Sequence, residues 1–272
     1  MKREGYLMER IADPDNLRLA FWKARKGKNY NDEVKHYRFR LDANLAELRR
    51  ELLAGDVPVG DYRYFHIYDP KERMICAAAF RERVLHHAVM IVCHPVFERF
   101  QTDDSYASRI GKGQYAALEK AKTHTRHYRW FCKLDVRKFF DSIDHETLYG
   151  LLSRRFKDPA LLGLFRRIID SYRTAPGCGL PIGNLTSQHF ANYYMAYADH
   201  HVREALHAPA YVRYMDDMVL WHDDKTELLR ITAGLTSFIG ERLRLTLKPP
   251  CINNTDKAYR FWVMCCFRDG CG

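Results

Sequence analysis

A chain of 272 residues is long enough to bury a sizeable core, as one large domain or as two lobes. Its 44 Lys and Arg against 34 Asp and Glu give a net charge of +10 and a pI near 9.2, and residues 1–130 hold 25 basic against 18 acidic residues, so +7 of that excess lies in the first half. Such a balance favours a polyanionic partner, through phosphate contacts and counterion release, or else marks a well-solvated surface. The charged N-terminus and the lack of any apolar run near membrane-span length argue against a membrane protein. The eight cysteines form no Cys-x-x-Cys pair and several lie in apolar runs, which predicts reduced, buried thiols, hence a cytoplasmic protein. The close histidine pairs His86-His87, His124/His127 and His200-His201 lack the Cys/His spacing of a zinc finger.

In chain order, Asp13 to Leu53 reads as helical and stops at Gly55-Asp56-Val57-Pro58. Tyr62 to Tyr68 alternates and is rich in Tyr, Phe and Ile, so it reads as a strand; Asp69-Pro70-Lys71-Glu72 is a turn, and Arg73 to Ala78 the return strand. A helix follows from Phe80 to Phe97, ending near Pro95, and another opens at Gly111-Lys112-Gly113 and runs through His124. Arg129 to Val136 is a strand, His145 to Phe156 and Pro159 to Arg173 are helices, and Ala175 to Pro181 is a loop. Thr186 to Leu206 is a long helix, Tyr211 to Trp221 a strand–turn–strand, Asp224 to Leu243 a helix and Leu245 to Lys248 a short strand. This order predicts an α+β sheet layered with helices on one face.

Two acidic sites sit inside apolar, β-prone runs. Asp135 ends Phe131-Cys132-Lys133-Leu134-Asp135-Val136, and Asp216-Asp217 follow Tyr211-Val212-Arg213-Tyr214-Met215. An aspartate ending a buried strand needs a partner for its charge, although an aspartate here can also cap the next helix, a role open to Asp141 or Asp144. Strands in a sheet lie about 4.8 Å apart, so carboxylates at the end of one strand and at a neighbouring hairpin tip can share divalent metals, which is what two-metal phosphoryl transfer requires.

The order of an aspartate strand, a Gly-rich loop with a helix, and an Asp-Asp hairpin resembles the palm of reverse transcriptases. Asp135 matches the first catalytic aspartate, Tyr214-Met215-Asp216-Asp217 the Tyr-x-Asp-Asp box, and Leu180-Pro181-Ile182-Gly183-Asn184-Leu185-Thr186-Ser187-Gln188 the loop that holds the nascent base pair. Tyr68 to Arg73 with Arg81 to Ala88 look like the first fingers motif, and Asp104 to Gly113 like the second. The resemblance implies a right-hand fingers–palm fold with an antiparallel palm sheet backed by helices. It places the N-terminal extension and fingers at 1–125 and the palm at 126–250, with finger elements at about 145–180. It also implies an RNA-directed DNA polymerase that uses dNTPs, an RNA template and an RNA–DNA hybrid held through its backbone.

By that resemblance Asp135 and Asp216, with the Val136 carbonyl, bind two Mg²⁺ (or Mn²⁺), and Asp217 is the accessory acid. Lys71 and Arg73 clamp the triphosphate, joined by Arg109 unless that residue contacts template; Phe140 is the steric gate against a ribose 2′-hydroxyl, and Lys248 the palm lysine that protonates pyrophosphate. The basic stretch Trp22 to Lys28 grips template RNA or a protein partner, or is an ordinary helix end.

The loop narrows the subfamily. Intron-encoded and retron enzymes usually carry Gln-Gly near its start and Ser-Pro at its end; here Ile182-Gly183 and Ser187-Gln188 stand instead. That pattern resembles the reverse transcriptases of diversity-generating retroelements, which err opposite template adenines and work with a small basic accessory protein. Ile182 offers only apolar contact where Gln would hydrogen-bond near the incoming nucleotide, a loss of about 1–3 kcal/mol of discrimination. The alternatives are another prokaryotic reverse transcriptase, of retron, intron or phage-defence type, and an inactive RNA-binding remnant. After the palm lysine, relatives usually show Phe-Leu-Gly-Tyr and then a helical thumb, whereas this chain reads Phe261-Trp262-Val263-Met264-Cys265-Cys266. One C placed before the Trp262 codon makes the frame read Leu-Gly, so residues 251–272 are read as a truncated tail with the thumb missing, either out of frame after Phe261 or divergent in sequence.

Overall fold

The computed structural model describes residues 3–68 and 72–257. Lys71, the rest of its turn and the tail from Phe261 on lie outside the described residues. The elements follow from local chemistry. Helix α1 (Met8–Ile11) and helix α2 (Pro14–Ala24) open the chain; Asp13 caps α2 by accepting from the Asp15 and Asn16 amides, with Pro14 at the first helical position. The single helix expected to Leu53 is three. Gly27 takes φ 74°, Asn31 caps again by accepting from the Glu33 amide, and Arg40 leaves helical dihedrals between α3 (Asp32–Phe39) and α4 (Leu41–Ala54). Gly55 then ends α4 in the left-handed conformation.

Strands β1 (Tyr62–Tyr68) and β2 (Glu72–Ala78) form a two-stranded sheet. Helix α5 (Phe80–Glu98) ends within one residue of the expected bound, and its last turn closes through the Arg99 amide on the Pro95 carbonyl. Next come α6 (Gln114–His127), β3 (Trp130–Leu134), the one-turn α7 (Phe139–Ser142), α8 (His145–Ser153) and α9 (Pro159–Asp170). The Asp158 carboxylate starts two helices at once, accepting from Leu161 in α9 and from Leu7 and Met8 at α1. Helix α10 (Leu185–His200) continues as a π-type turn, His201–Ala205. Strands β4 (Ala210–Tyr214) and β5 (Asp217–His222), helix α11 (Lys225–Leu243) and strand β6 (Cys251–Asn254) complete the described order.

The strand expected at Leu245–Lys248 is only a bridge, Val136 to Leu247. Pro249 and Pro250 have no amide to give, so pairing lapses and resumes at Cys251 opposite Lys133.

The chain forms two compact units. The first comprises 1–66, 74–99 and 145–189, with α5 as its most buried helix; Val84, Leu85, Ala88, Val89 and Cys93 are fully covered. The second comprises 67–73, 100–144 and 190–272 and contains the antiparallel sheet β4-β5-β3-β6. In register, Phe131 lies opposite Trp221 and Val212 opposite Val219; these four pack with Ala117 and Ala121 of α6. The alternate residues Tyr211 and Arg213 point the other way, onto Asp199 of α10. Helices therefore cover both faces of the sheet. The one-face expectation fails because the strands are apolar at both parities, as strands buried on two sides must be. No described helix is long and apolar enough to cross a membrane.

Burial pushes His87 and His189 in the first unit, and His124 in the second, down to about 4. A depressed histidine contributes stability that is complete above its unfolded value near 6.5 and is lost as pH falls toward the folded value. At pH 5 the expected loss is on the order of 1–2 kcal/mol for His189 and smaller for the half-buried His87 and His124, whose charge solvent screens. Urea unfolding at pH 7.5 and pH 5 measures it; equal midpoints count against the neutral, buried histidines.

Candidate active site

Strands β4 and β5 are joined by the two residues Met215 and Asp216, with Tyr214 paired to Asp217. Met215 takes φ 54°, so the turn holds a bulky residue in the left-handed region, at a cost on the order of 1–3 kcal/mol. Such strain persists where the surroundings over-determine it. Next in the sheet is β3, whose Leu134 pairs with Met218, and Asp135 follows it immediately. Strand pairing alone thus brings Asp135, Asp216 and Asp217 to one end of the sheet in the second unit.

Their charges interact. Burial, then the neighbouring Asp217 and Asp135 carboxylates, raise Asp216 to about 6. Asp217 is also raised, chiefly by burial, against the Lys133 ammonium, which lies 3.2 Å from its Oδ1. Lys248 Nζ lies 2.5 Å from Asp135 Oδ2, and its amide donates to the Asp135 carbonyl at 2.8 Å; the Arg137 amide donates to Thr246. Each lysine thus stands against one carboxylate, and Asp216 is left as the least compensated acid.

No three His, Cys, Asp or Glu side chains close into a ready-made cation cage among the described residues. Mg²⁺ does not need one; it is held by one or two carboxylates with waters and substrate phosphates supplying the rest. A set of hard oxygens with an unbalanced carboxylate fits that ion and not a soft-ligand metal.

The remaining sequence-predicted residues divide between the units. Val136 is buried and bridged to Leu247, and Phe140 packs its ring on Phe139 at 5.4 Å in α7. Arg73 lies in β2. Arg109 donates to the Thr102 and Ser105 carbonyls, so its guanidinium braces its own loop. In the first unit, the Ile182 carbonyl accepts from the Cys76 amide at 2.8 Å, and Asn184 Oδ1 accepts from Ala78 at 3.4 Å. Gly183 has φ 112°, and a Cβ there would stand 2.9 Å from Ile75 Cγ2, so this close approach to β2 demands glycine. Gln188 is exposed in the first turn of α10. Sequence reading gave no role to Lys133 or Arg213. The usable signal was a cation in the middle of an apolar strand, which cannot stay unpaired when buried.

A model of the reverse transcriptase (RNA-dependent DNA polymerase) family matches residues 69–254, more than half of the chain. The chain belongs to the reverse transcriptase family. The group II intron-encoded protein LtrA of Lactococcus lactis subsp. cremoris is 28% identical over 133 residues, covering 46% of this chain and 22% of the relative. Protein YkfC of Escherichia coli K12 is 26% identical over 181 residues, covering 61% of this chain and 47% of the relative. The chain thus spans between about a fifth and a half of these relatives. Among solved structures, apo telomerase from Candida tropicalis matches with a TM-score of 0.53 at 11% identity, over 73% of this chain and 46% of that one. The same organism's telomerase with a fragment of telomeric RNA matches at 0.50 and 11%, over 71% and 41%. The α+β fingers–palm expectation holds, with an antiparallel sheet packed by helices on both faces.

Proposed function

We propose that this chain is an RNA-directed DNA polymerase of the diversity-generating type, extending a primer on an RNA template and miscopying at template adenines. The observation that carries the polymerase reading is the gathering of Asp135, Asp216 and Asp217 at one sheet end by strand register. Two Mg²⁺, or Mn²⁺, when bound, neutralise the triphosphate and lower the charge cost of attack by the primer 3′-hydroxyl. Asp135 and Asp216, with the Val136 carbonyl, hold them, and Asp217 is the accessory acid. Phe140 excludes the ribose 2′-hydroxyl; Lys71 and Arg73 are the cations offered to the triphosphate, and Arg109 joins them or contacts the template. Lys248 gives a proton to the leaving pyrophosphate. Residues 1–125 serve as N-terminal extension and fingers, and 126–250 as palm with finger elements at 145–180.

The basic balance of +10, and the telomeric RNA held by the matched telomerase, support template RNA as a partner. A small basic accessory protein belongs to the same reading. The mutagenic class rests on Ile182 and on Ser187-Gln188. An intron-type enzyme is the second reading, favoured by the matched intron-encoded relative. The test is dNTP extension of a primed RNA template with Mg²⁺ and sequencing of the products. Errors concentrated opposite adenine support the first reading; accurate extension keeps the polymerase and removes that class.

Ile182→Gln restores a polar contact, and the expected result is a fall of about 5–100-fold in errors opposite adenine, equivalent to about 1–3 kcal/mol of discrimination. Sequenced products of the variant and the parent measure it, and an unchanged spectrum removes Ile182 from the fidelity argument.

A further inference from the structure

Arg213 is fully buried in the penultimate position of β4, where a guanidinium has no water to satisfy it. Its Nε and Nη2 donate to the two oxygens of Asp199, both at 2.6 Å, and Asp199 is as completely buried. Nη1 donates to Asn192 Oδ1 at 2.7 Å, and Nη2 to Ser105 Oγ at 3.0 Å and, more weakly, to Gln101 Oε1 at 3.3 Å. One further bond leaves this cluster. Nη1 also donates to the Met215 carbonyl at 2.9 Å. That carbonyl belongs to the left-handed residue of the acidic turn, and its peptide bond leads directly into Asp216.

A buried ion pair is an expensive way to stabilise a fold, since hydrophobic residues of similar volume are often as good or better. Its planar fork does something an apolar side chain cannot: it fixes several acceptors in one geometry. Here the fixed points are α10, through Asp199 and Asn192, and the segment before α6, through Gln101 and Ser105; the remaining acceptor is the turn. The Arg213 amide and carbonyl reinforce this by bonding Asp104 and Tyr106. Tyr211 donates to Asp199 Oδ1 at 2.9 Å and holds the carboxylate in line.

We infer that Arg213 is a positioning residue for the reaction: its buried guanidinium ties the Met215 carbonyl to the α10 framework and so fixes where Asp216 presents its carboxylate. This rests on the two-metal reading of the acidic cluster. It touches no substrate in that role; it acts through the turn.

The test compares the 272-residue parent with Arg213→Lys and with the double variant Arg213→Met/Asp199→Asn. Lysine keeps a charge for Asp199 but has no fork. The double variant removes both charges and leaves an amide oxygen on α10 to accept from Tyr211, so it keeps the question open where a lone buried charge would unfold the chain. Mn²⁺ binding is read by electron paramagnetic resonance, and primer extension with Mg²⁺ is read beside it. A misplacement near 1 Å is worth about 100-fold, so kcat is expected to fall about 10–100-fold, with KM for dNTP changing less than about 3-fold and Mn²⁺ binding about 5-fold weaker or more. A purely structural role lowers the folded fraction and leaves Mn²⁺ affinity and the Mg²⁺ dependence of the folded fraction unchanged. Folded variants with parental kcat and parental Mn²⁺ affinity overturn the inference alone. A folded parent that binds no Mn²⁺ overturns the two-metal reading and this inference with it.

Discussion

Asp216→Asn is expected to abolish primer extension and to make the protein more stable. The two effects have one cause. Asp216 is raised to about 6 because burial and the Asp217 and Asp135 carboxylates disfavour its charge. In the cation-free protein at neutral pH that charge is held against a free-energy gradient, and the isosteric amide removes it. The sign follows from linkage: a carboxyl raised above its unfolded value contributes stability at low pH that is lost as pH rises through about 6. Replacing it by an amide is therefore expected to stabilise the cation-free fold by about 1–3 kcal/mol at pH 7.5. The same amide is a poor ligand for a hard cation, and on the proposed two-metal role the loss of the carboxylate is expected to cost about 1000-fold or more in kcat, equivalent to about 4 kcal/mol or more of barrier. Asp135→Asn separates the two effects. It loses activity as well, but it strips Lys248 of its partner and brings less relief. Thermal unfolding without divalent cation and single-turnover extension measure the pair of outcomes. A lower melting temperature for Asp216→Asn contradicts the charge argument, and retained activity contradicts the role.

The acidic cluster was legible because its information is local. Asp135 ends an apolar strand, and Asp216-Asp217 sit between two others, so alternation and turn position suffice to bring them near one another. Gly183 came only with the resemblance of its loop, since the need for it comes from β2, more than a hundred residues earlier. Arg213 was not legible as a hub: Asp199, Asn192, Ser105 and Gln101 meet it only through tertiary packing, and no spacing rule joins β4 to the segment before α6. The break of the first helix at Gly27 falls in a polar stretch, with only the exposed Tyr30 between Ala24 and Val34, which reads equally well as a charged helix surface; at Arg40 the apolar residues Phe39 and Leu41 flank the joint without a break in composition. Cover on both sheet faces was missed because alternation was read for one face, when Tyr211 and Val212, adjacent in sequence and opposite in direction, are both buried. The strand β6 was not foreseen, because Pro249-Pro250 interrupt the pairing between the bridge at Leu247 and its resumption at Cys251.

Lys248→Met is expected to lower kcat about 100-fold or more, and Lys248→Arg is expected to be no better. In the proposed reaction one ammonium serves two functions. Its 2.5 Å contact to Asp135 supplies charge, and the proposal adds delivery of a proton to the leaving oxygen. Arginine retains the first function and lacks the second, because a guanidinium does not give up its proton in a protein. The backbone hydrogen bond from residue 248 to the Asp135 carbonyl survives either substitution, so the end of β3 stays where it is. The ion pair is partly exposed at both partners and contributes little to stability, so melting temperatures are expected to stay level. The decisive readout is the pH–rate profile of the chemical step. If Lys248 is the acid, the parent slows at high pH and both variants lose that limb. If Lys248→Arg instead restores the parental rate, the ammonium acts only as the counter-charge of Asp135, and the proton reaches pyrophosphate from water.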